Sequence, residues 1–120
     1  MASEKRILLI DDDEVRELLA LALSSEGYAV DTAASAAQAL LNLTTSRYDL
    51  VIADWRLPDG DGIAVANFAE QLGTKILVMS GYLFHMSRDR FDERRLLMKP
   101  VRPSELVAAV QASIGDSHPD

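Results

Sequence analysis

The sequence predicts an α/β fold, a (βα)5 doubly wound sheet of five parallel strands. Three observations predict it. Short apolar runs alternate with stretches of helical periodicity, and the runs return roughly every 21–25 residues. The runs are also nearly continuous in apolar residues, as strands covered on both faces must be. Five such units are too few to close an eight-stranded barrel, so an open sheet is the expected solution.

The first run is Ile7–Ile10. Val15, Leu18, Leu19 and Ala22 then recur at helical spacing and give one apolar face, with Gly27 in position to cap the end. The second run spans Tyr28–Ala33. Ser35 and Gln38 have capping-box spacing ahead of Leu40 and Leu43. After the third run, Leu50–Ala53, Asp61 is placed to cap a helix reaching Leu72 and closed by Gly73. Ile76–Met79 is the fourth run. Between Gly81 and Arg95 the periodicity is lost, which predicts a short or irregular helix. Leu96–Met98 is a weak fifth strand. Pro103 suits the first turn of a last helix, in which Leu106, Val107, Val110 and Ile114 share a face. Residues 115–120 are expected to fray, leaving one domain over residues 1–120 with an ordered core from about 5 to 115.

Composition narrows the function classes. With 120 residues, 48% of them hydrophobic and 26% charged, the chain can build one core without a disulfide or metal staple. The absence of cysteine excludes a disulfide scaffold, a zinc ribbon and thiol chemistry. A net charge of −7 repels phosphate backbones and anionic lipid, so neither direct nucleic-acid binding nor membrane insertion is expected. No apolar run approaches the ~18–20 residues that span a bilayer. The run before Asp11 is too short for a signal-peptide core. A soluble, cytoplasmic protein is expected, with Met1 and the polar tail marking a chain complete in itself.

In an open α/β sheet, ligands bind beyond the carboxyl ends of the strands. The residues following the runs are Asp11-Asp12-Asp13 after the first, Asp54 after the third, Ser80 after the fourth and Lys99 after the fifth. The second run leads only into Ala34 and Ser35. Crowded carboxylates must be protonated, paired or bridged by a cation. A hard divalent ion such as Mg2+ suits oxygen ligands of this kind. A carboxylate beside such an ion can take a phosphoryl group as an acyl phosphate, with the Lys99 ammonium and Ser80 hydroxyl facing its oxygens. Each residue also has a plainer reading. Asp11–Asp13 could cap the first helix, a role assigned mainly to Asp13, and Asp54 could serve the Leu-Pro-Asp-Gly turn. Lys99 and Ser80 could be ordinary loop residues. Four strand ends converging on one rim favour the chemical reading. Trp55 is expected at that rim, half-buried, while His85, His118 and the charged run Arg88–Arg95 are expected on the surface.

Ile-Leu-Leu-Ile-Asp11-Asp12-Asp13-Glu, Val-Ile-Ala-Asp54-Trp-Arg-Leu-Pro58-Asp-Gly60-Asp-Gly62, Val-Met-Ser80-Gly and Met-Lys99-Pro100 together resemble the response-regulator receiver family. The similarity is ordered and runs over nearly the whole chain. It implies a flavodoxin-like, CheY-like fold. It also implies Asp11 and Asp12 as the acids that organise Mg2+, Asp54 as phosphoacceptor, and the backbone carbonyl of Arg56 as a further metal contact. Ser80 would be the switch hydroxyl, Lys99 the family's lysine, and Lys99–Pro100 a cis peptide. The implied partners are a sensor histidine kinase or histidine phosphotransfer protein as donor, and a downstream protein target or onward phosphorelay. Catalysis would be limited to the chain's own phosphorylation and dephosphorylation. Three features depart from the family pattern. The stretch from Ser80 to Lys99 is short, Leu96 stands where a switch aromatic is expected, and Arg56 puts a long cation two residues after the acceptor. Tyr82 is a candidate replacement for the missing aromatic.

Two other function classes are compatible with parts of the sequence. One is a receiver-like interaction module that takes no phosphoryl group, suggested by the short Ser80–Lys99 stretch. The other is a haloacid-dehalogenase-like phosphatase, which Asp11-x-Asp13 fits in spacing. Val15 stands where that class usually has a hydroxyl, however, and Asp54 would be left without a role. A flavin protein is excluded, because aspartates after the first strand would repel the flavin phosphate.

Overall fold

A computed structural model describes residues 4–81 and 96–115, apart from the side chain of Asp61. Along the chain it forms β1 (Arg6–Ile10), α1 (Val15–Ser25), β2 (Ala29–Ala33), α2 (Ala36–Thr45), β3 (Leu50–Asp54), β4 (Arg56–Leu57), β5 (Gly60–Asp61), α3 (Gly62–Gln71), β6 (Lys75–Ser80), β7 (Leu96–Met98) and α4 (Pro103–Ile114). Five parallel strands make one sheet in the order β2-β1-β3-β6-β7. This is the predicted architecture. Apart from Gly81, the irregular helix expected over 81–95 lies outside the described residues, with Tyr82, His85 and Arg88–Arg95, and so does the tail from 116 with His118.

Alternation along the strands divides the core in two. Leu8 and Ile10 of β1, Val51 and Ala53 of β3 and Val78 of β6 face α2 and α3, where they meet Ala39, Leu43, Ile63, Ala66 and Ala69. Their neighbours Ile7, Leu9, Leu50, Ile52, Leu77 and Met79 face α1 and α4 and pack on Leu19, Leu23, Leu106 and Val110. Because side chains on a strand alternate, a strand buried on both faces must be apolar throughout.

Two helical faces differ from expectation. Leu18 is 54% exposed and Leu40 39% exposed, while Leu19, Leu23, Ala39 and Leu43 are buried. In α1 the covered line runs through Val15, Leu19 and Leu23, one step round from Leu18. Adjacent apolar residues, Leu18-Leu19 in α1 and Ala39-Leu40 in α2, give two overlapping faces, and only contact with the sheet selects between them.

The ends of the helices follow their local sequence. Ser35 Oγ accepts the Gln38 N–H at 3.2 Å, and Gln38 Oε1 accepts the Ala34 N–H at 2.9 Å, a reciprocal capping arrangement. The third helix, α3, ends at Gln71 rather than Leu72, and Gly73 closes it two residues on with φ +85°. At the start of α1, Asp13 Oδ1 receives the Val15 N–H at 3.4 Å, while Glu14 occupies the first cap position without a side-chain bond. The hairpin of β4 and β5, pairing Arg56 with Asp61 and Leu57 with Gly60, was not legible beforehand.

Candidate functional site at the carboxyl ends of the strands

The parallel order places the ends of β1, β3, β6 and β7 side by side, and the polar residues follow directly. Asp11 and Asp54 are buried, and Ser80 is 1% exposed. The Asp11 N–H donates to the Ala33 carbonyl at 3.1 Å, extending the ladder past β1 and aiming the carboxylate over the rim. The Trp55 N–H donates to Met79 at 2.8 Å, and the Lys99 N–H donates to the Ser80 carbonyl at 2.9 Å. These bonds lock the acidic, hydroxyl and amine-bearing positions to one another through the backbone.

Asp11, Asp12 and Asp54 each offer a carboxylate oxygen, and the three lie within 4.8 Å of one another. Asp12 alone is exposed. Lys99 Nζ reaches Asp54 Oδ2 at 2.8 Å and stands 3.4 Å from Asp11 Oδ2. The Arg56 N–H donates to Asp54 Oδ1 at 3.3 Å, and the Asp13 N–H donates to Asp11 Oδ1 at 3.0 Å. A cleft of about 430 Å3 opens over this cluster, lined by Asp12, Asp54, Trp55, Arg56, Ser80, Gly81 and Lys99. A larger open cleft of about 840 Å3, at the other end of the sheet beside Arg6 and Tyr48, brings none of the sequence-predicted site residues together.

The electrostatics favour a cation. Burial pushes the Asp11 carboxyl up from the ordinary aspartate range, and the neighbouring Asp54 charge adds to this. The Asp13 N–H and Lys99 oppose the shift without cancelling it. Burial by itself would lower Lys99, but its bond to Asp54 and the charges of Asp11 and Asp54 outweigh that and hold the ammonium above its usual range. One ammonium is thus shared among carboxylates that outnumber it. Among the described residues Asp11 Oδ2 is buried with no hydrogen bond, and Lys99 Nζ stands 3.4 Å from it. An orphaned buried carboxylate oxygen beside two further acids fits a hard divalent ion.

Most sequence-predicted residues come together here. Asp11, Asp12, Asp54, Arg56, Ser80 and Lys99 border one site. The Lys99–Pro100 bond is cis, as the resemblance implied. Trp55 is half-buried at the rim and packs on the α2–α3 side of the core. Leu96 lies apart from the cleft, half-buried on the same side of the sheet and paired with Val78. Tyr82 is outside the described residues.

Three contributors had no assigned role in the sequence reading. Arg16 Nη1 donates to the Asp11 carbonyl at 2.6 Å, a contact that its place in the first turn of α1 makes intelligible only in three dimensions. Gly62 lies so close to the acceptor strand that a Cβ there would sit 1.8 Å from the Asp54 carbonyl oxygen. The glycine itself stood in the motif; its reason did not. Asp59 reaches from the β4–β5 turn to the start of α2, where its carboxylate oxygens accept the N–H groups of Ala36 and Ala37 at 2.8 and 3.0 Å.

Known proteins agree with this architecture. A family model for the response regulator receiver domain matches residues 7–111. The chain is 35% identical to the transcriptional regulatory protein PmrA of Pectobacterium parmentieri, over 91% of this chain and 52% of that protein. It is 31% identical to the transcriptional regulatory protein ResD of Bacillus subtilis (strain 168), over 92% of this chain and 48% of that one. The chain therefore spans about half the length of these curated relatives. Among solved structures, a CheY-like receiver domain protein from Methanospirillum hungatei JF-1 superposes with a TM-score of 0.81 at 30% identity, covering 93% of this chain and 94% of that one. Sheet order, acidic rim and similarity to known proteins lead to one assignment: the chain belongs to the response regulator receiver domain family.

Proposed function

We propose that this domain accepts a phosphoryl group on Asp54 in a Mg2+-dependent reaction and signals through the proteins that dock on it. The observation that carries the reading is the meeting of Asp11, Asp12 and Asp54 within 4.8 Å, with Lys99 on Asp54 at 2.8 Å. Asp11, Asp12, Asp54 and the Arg56 backbone carbonyl would hold the ion. When bound, Mg2+ supplies the positive charge that offsets the crowded carboxylates and the incoming phosphoryl oxygens.

The remaining steps belong to the chain's own residues. An Asp54 carboxylate oxygen attacks the phosphorus of a partner's phosphohistidine; the P–O bond forms, the P–N bond breaks and the imidazole leaves. Lys99 gives up part of its contact with Asp54 and turns to the transferred oxygens, and the Ser80 hydroxyl donates to another. Trp55 and Arg56 line the approach to the acceptor. The donor is a sensor histidine kinase or a histidine phosphotransfer protein, and the receiver of the signal is a downstream protein or the next member of a relay. Ser80, Tyr82 and Leu96 are the candidates to carry the change. No helix among the described residues is long and apolar enough to cross a membrane, and a cytoplasmic site of action is part of this proposal.

The hydrolase alternative is disfavoured because Asp13 turns its carboxylate to the Val15 N–H and lies outside the acidic cluster. Trp55, the only tryptophan, reports on the site. Its fluorescence is expected to respond saturably to Mg2+ and again to beryllofluoride, a phosphoryl mimic, with the second step lost in Asp54→Asn. A folded wild-type protein that responds to neither would favour the interaction-module reading instead.

A further inference from the structure

The loop that follows Asp54 needs an anchor. It carries Arg56, runs through the short β4–β5 hairpin and returns to α3 at Gly62. Its root is fixed by the Trp55 N–H on Met79 and the Gly62 N–H on Trp55, at 2.8 and 2.9 Å. Leu57 is buried in the core, but the tip, Pro58-Asp59-Gly60, is exposed. A hairpin of two residues per strand holds little stability of its own. The tip is tied down through Asp59, whose carboxylate takes two backbone N–H groups of α2 at 2.8 and 3.0 Å.

We propose that Asp59 is a positioning residue for the acceptor loop, holding the Arg56 peptide where the cation and the phosphoryl group need it. The division of labour at the start of α2 supports this. Ser35 caps Gln38, the Ala39 N–H bonds the Ser35 carbonyl, and only Ala36 and Ala37 are left for an acceptor from outside the helix. An anion at this end is favoured by the helix dipole. The two contacts are bidentate and fix orientation as well as distance. Asp59 touches neither the ion nor the phosphoryl group; it acts through the Arg56 peptide, three residues away along a tight hairpin. The inference rests on the proposed function, because it concerns the same site.

The test compares Asp59→Ala, Asp59→Asn and Ser35→Ala, reading Mg2+ affinity from Trp55 fluorescence and phosphorylation rate with acetyl phosphate. Ser35→Ala weakens the same helix end without touching the loop, so it isolates the helical contribution. Asp59→Ala is expected to weaken Mg2+ binding roughly ten-fold, the scale on which residues orienting a metal ligand act. It should slow phosphorylation in proportion. Asp59→Asn keeps one oxygen for one N–H and should recover most of the affinity, and Ser35→Ala should leave it unchanged. Wild-type affinity in folded Asp59→Ala, or an equal loss in Ser35→Ala, overturns the inference while leaving the proposed function intact. Absence of any Mg2+ response in the wild type overturns both.

Discussion

Lys99 Nζ lies 2.8 Å from Asp54 Oδ2 and 3.4 Å from Asp11 Oδ2, joining the ends of β7, β3 and β1 through one ammonium. Asp11 is fully buried and Asp54 nearly so, while the lysine side chain is 26% exposed. Removing the cation leaves two buried acids facing each other. Such a loss costs several kcal/mol in a fully buried pair, and partial exposure reduces it. Lys99→Met should therefore destabilise the metal-free protein by about 1–3 kcal/mol, measured by urea unfolding in a chelator. A change below about 0.5 kcal/mol would mean that the ammonium offers no net stabilisation.

A bound ion should offset the same repulsion. A ligand that binds only the folded state at ten times its Kd adds about 1.4 kcal/mol to the unfolding free energy. Mg2+ at that concentration is expected to raise the urea midpoint accordingly. The increment should shrink in both Asp12→Asn and Asp54→Asn, since each removes one of the three clustered carboxylates. An equal increment in all three proteins would show that Mg2+ binds elsewhere.

Much of this site was legible because its residues stand at strand ends, where topology and sequence position coincide. Asp11, Asp54, Ser80 and Lys99 could be placed on one rim from the apolar runs alone. The roles of Asp59 and Arg16 could not, since their partners Ala36, Ala37 and Asp11 are set by how α2 and the start of α1 lie against the loops. The β4–β5 hairpin has two-residue strands and leaves no periodicity to detect. Helix positions were legible, but helix rotation was not, because Leu18-Leu19 and Ala39-Leu40 each offer a choice of face.

That choice can be measured in α1. Leu19 is 2% exposed against Leu106 and Val110 of α4, whereas Leu18 is 54% exposed. Leu19→Ala should cost about 3 kcal/mol through lost burial and the cavity left behind. Leu18→Ala should fall within about 0.5 kcal/mol of wild type. Equal losses in urea unfolding would mean that α1 is rotated from the orientation described.

Asp59 also makes a pH prediction. The N–H groups of Ala37 and Ala36 hold its carboxyl below the ordinary 3.8. Because the folded-state value is the lower one, the stabilisation is present above 3.8 and is lost as pH falls through the folded value. Stability of the wild type should thus drop more steeply below about pH 4 than that of Asp59→Asn, whose amide does not titrate. The contribution of Asp11, shifted the opposite way, is shared by both proteins and cancels in the difference. Parallel acid limbs in the two unfolding series would contradict the tether.

At Gly62 the start of α3 packs against the end of the acceptor strand with no room for a side chain. A Cβ there would lie 1.8 Å from the Asp54 carbonyl oxygen, 2.8 Å from its carbonyl carbon and 3.3 Å from the Trp55 Cα. All three neighbours are main-chain atoms, so no side chain can rotate away. Relief requires moving the end of β3 or the start of α3, and the Gly62 N–H bond to Trp55 at 2.9 Å resists both movements. Gly62→Ala should therefore cost about 3 kcal/mol, at the upper end of ordinary overpacking. It should also weaken Mg2+ binding, because the displaced strand end carries Asp54. Gly81→Ala is the control: among the described residues its added Cβ would meet only the Lys99 Cβ, at an ordinary 3.8 Å. If both variants unfold at the same urea concentration, the glycine at 62 is not required by contact with the acceptor strand.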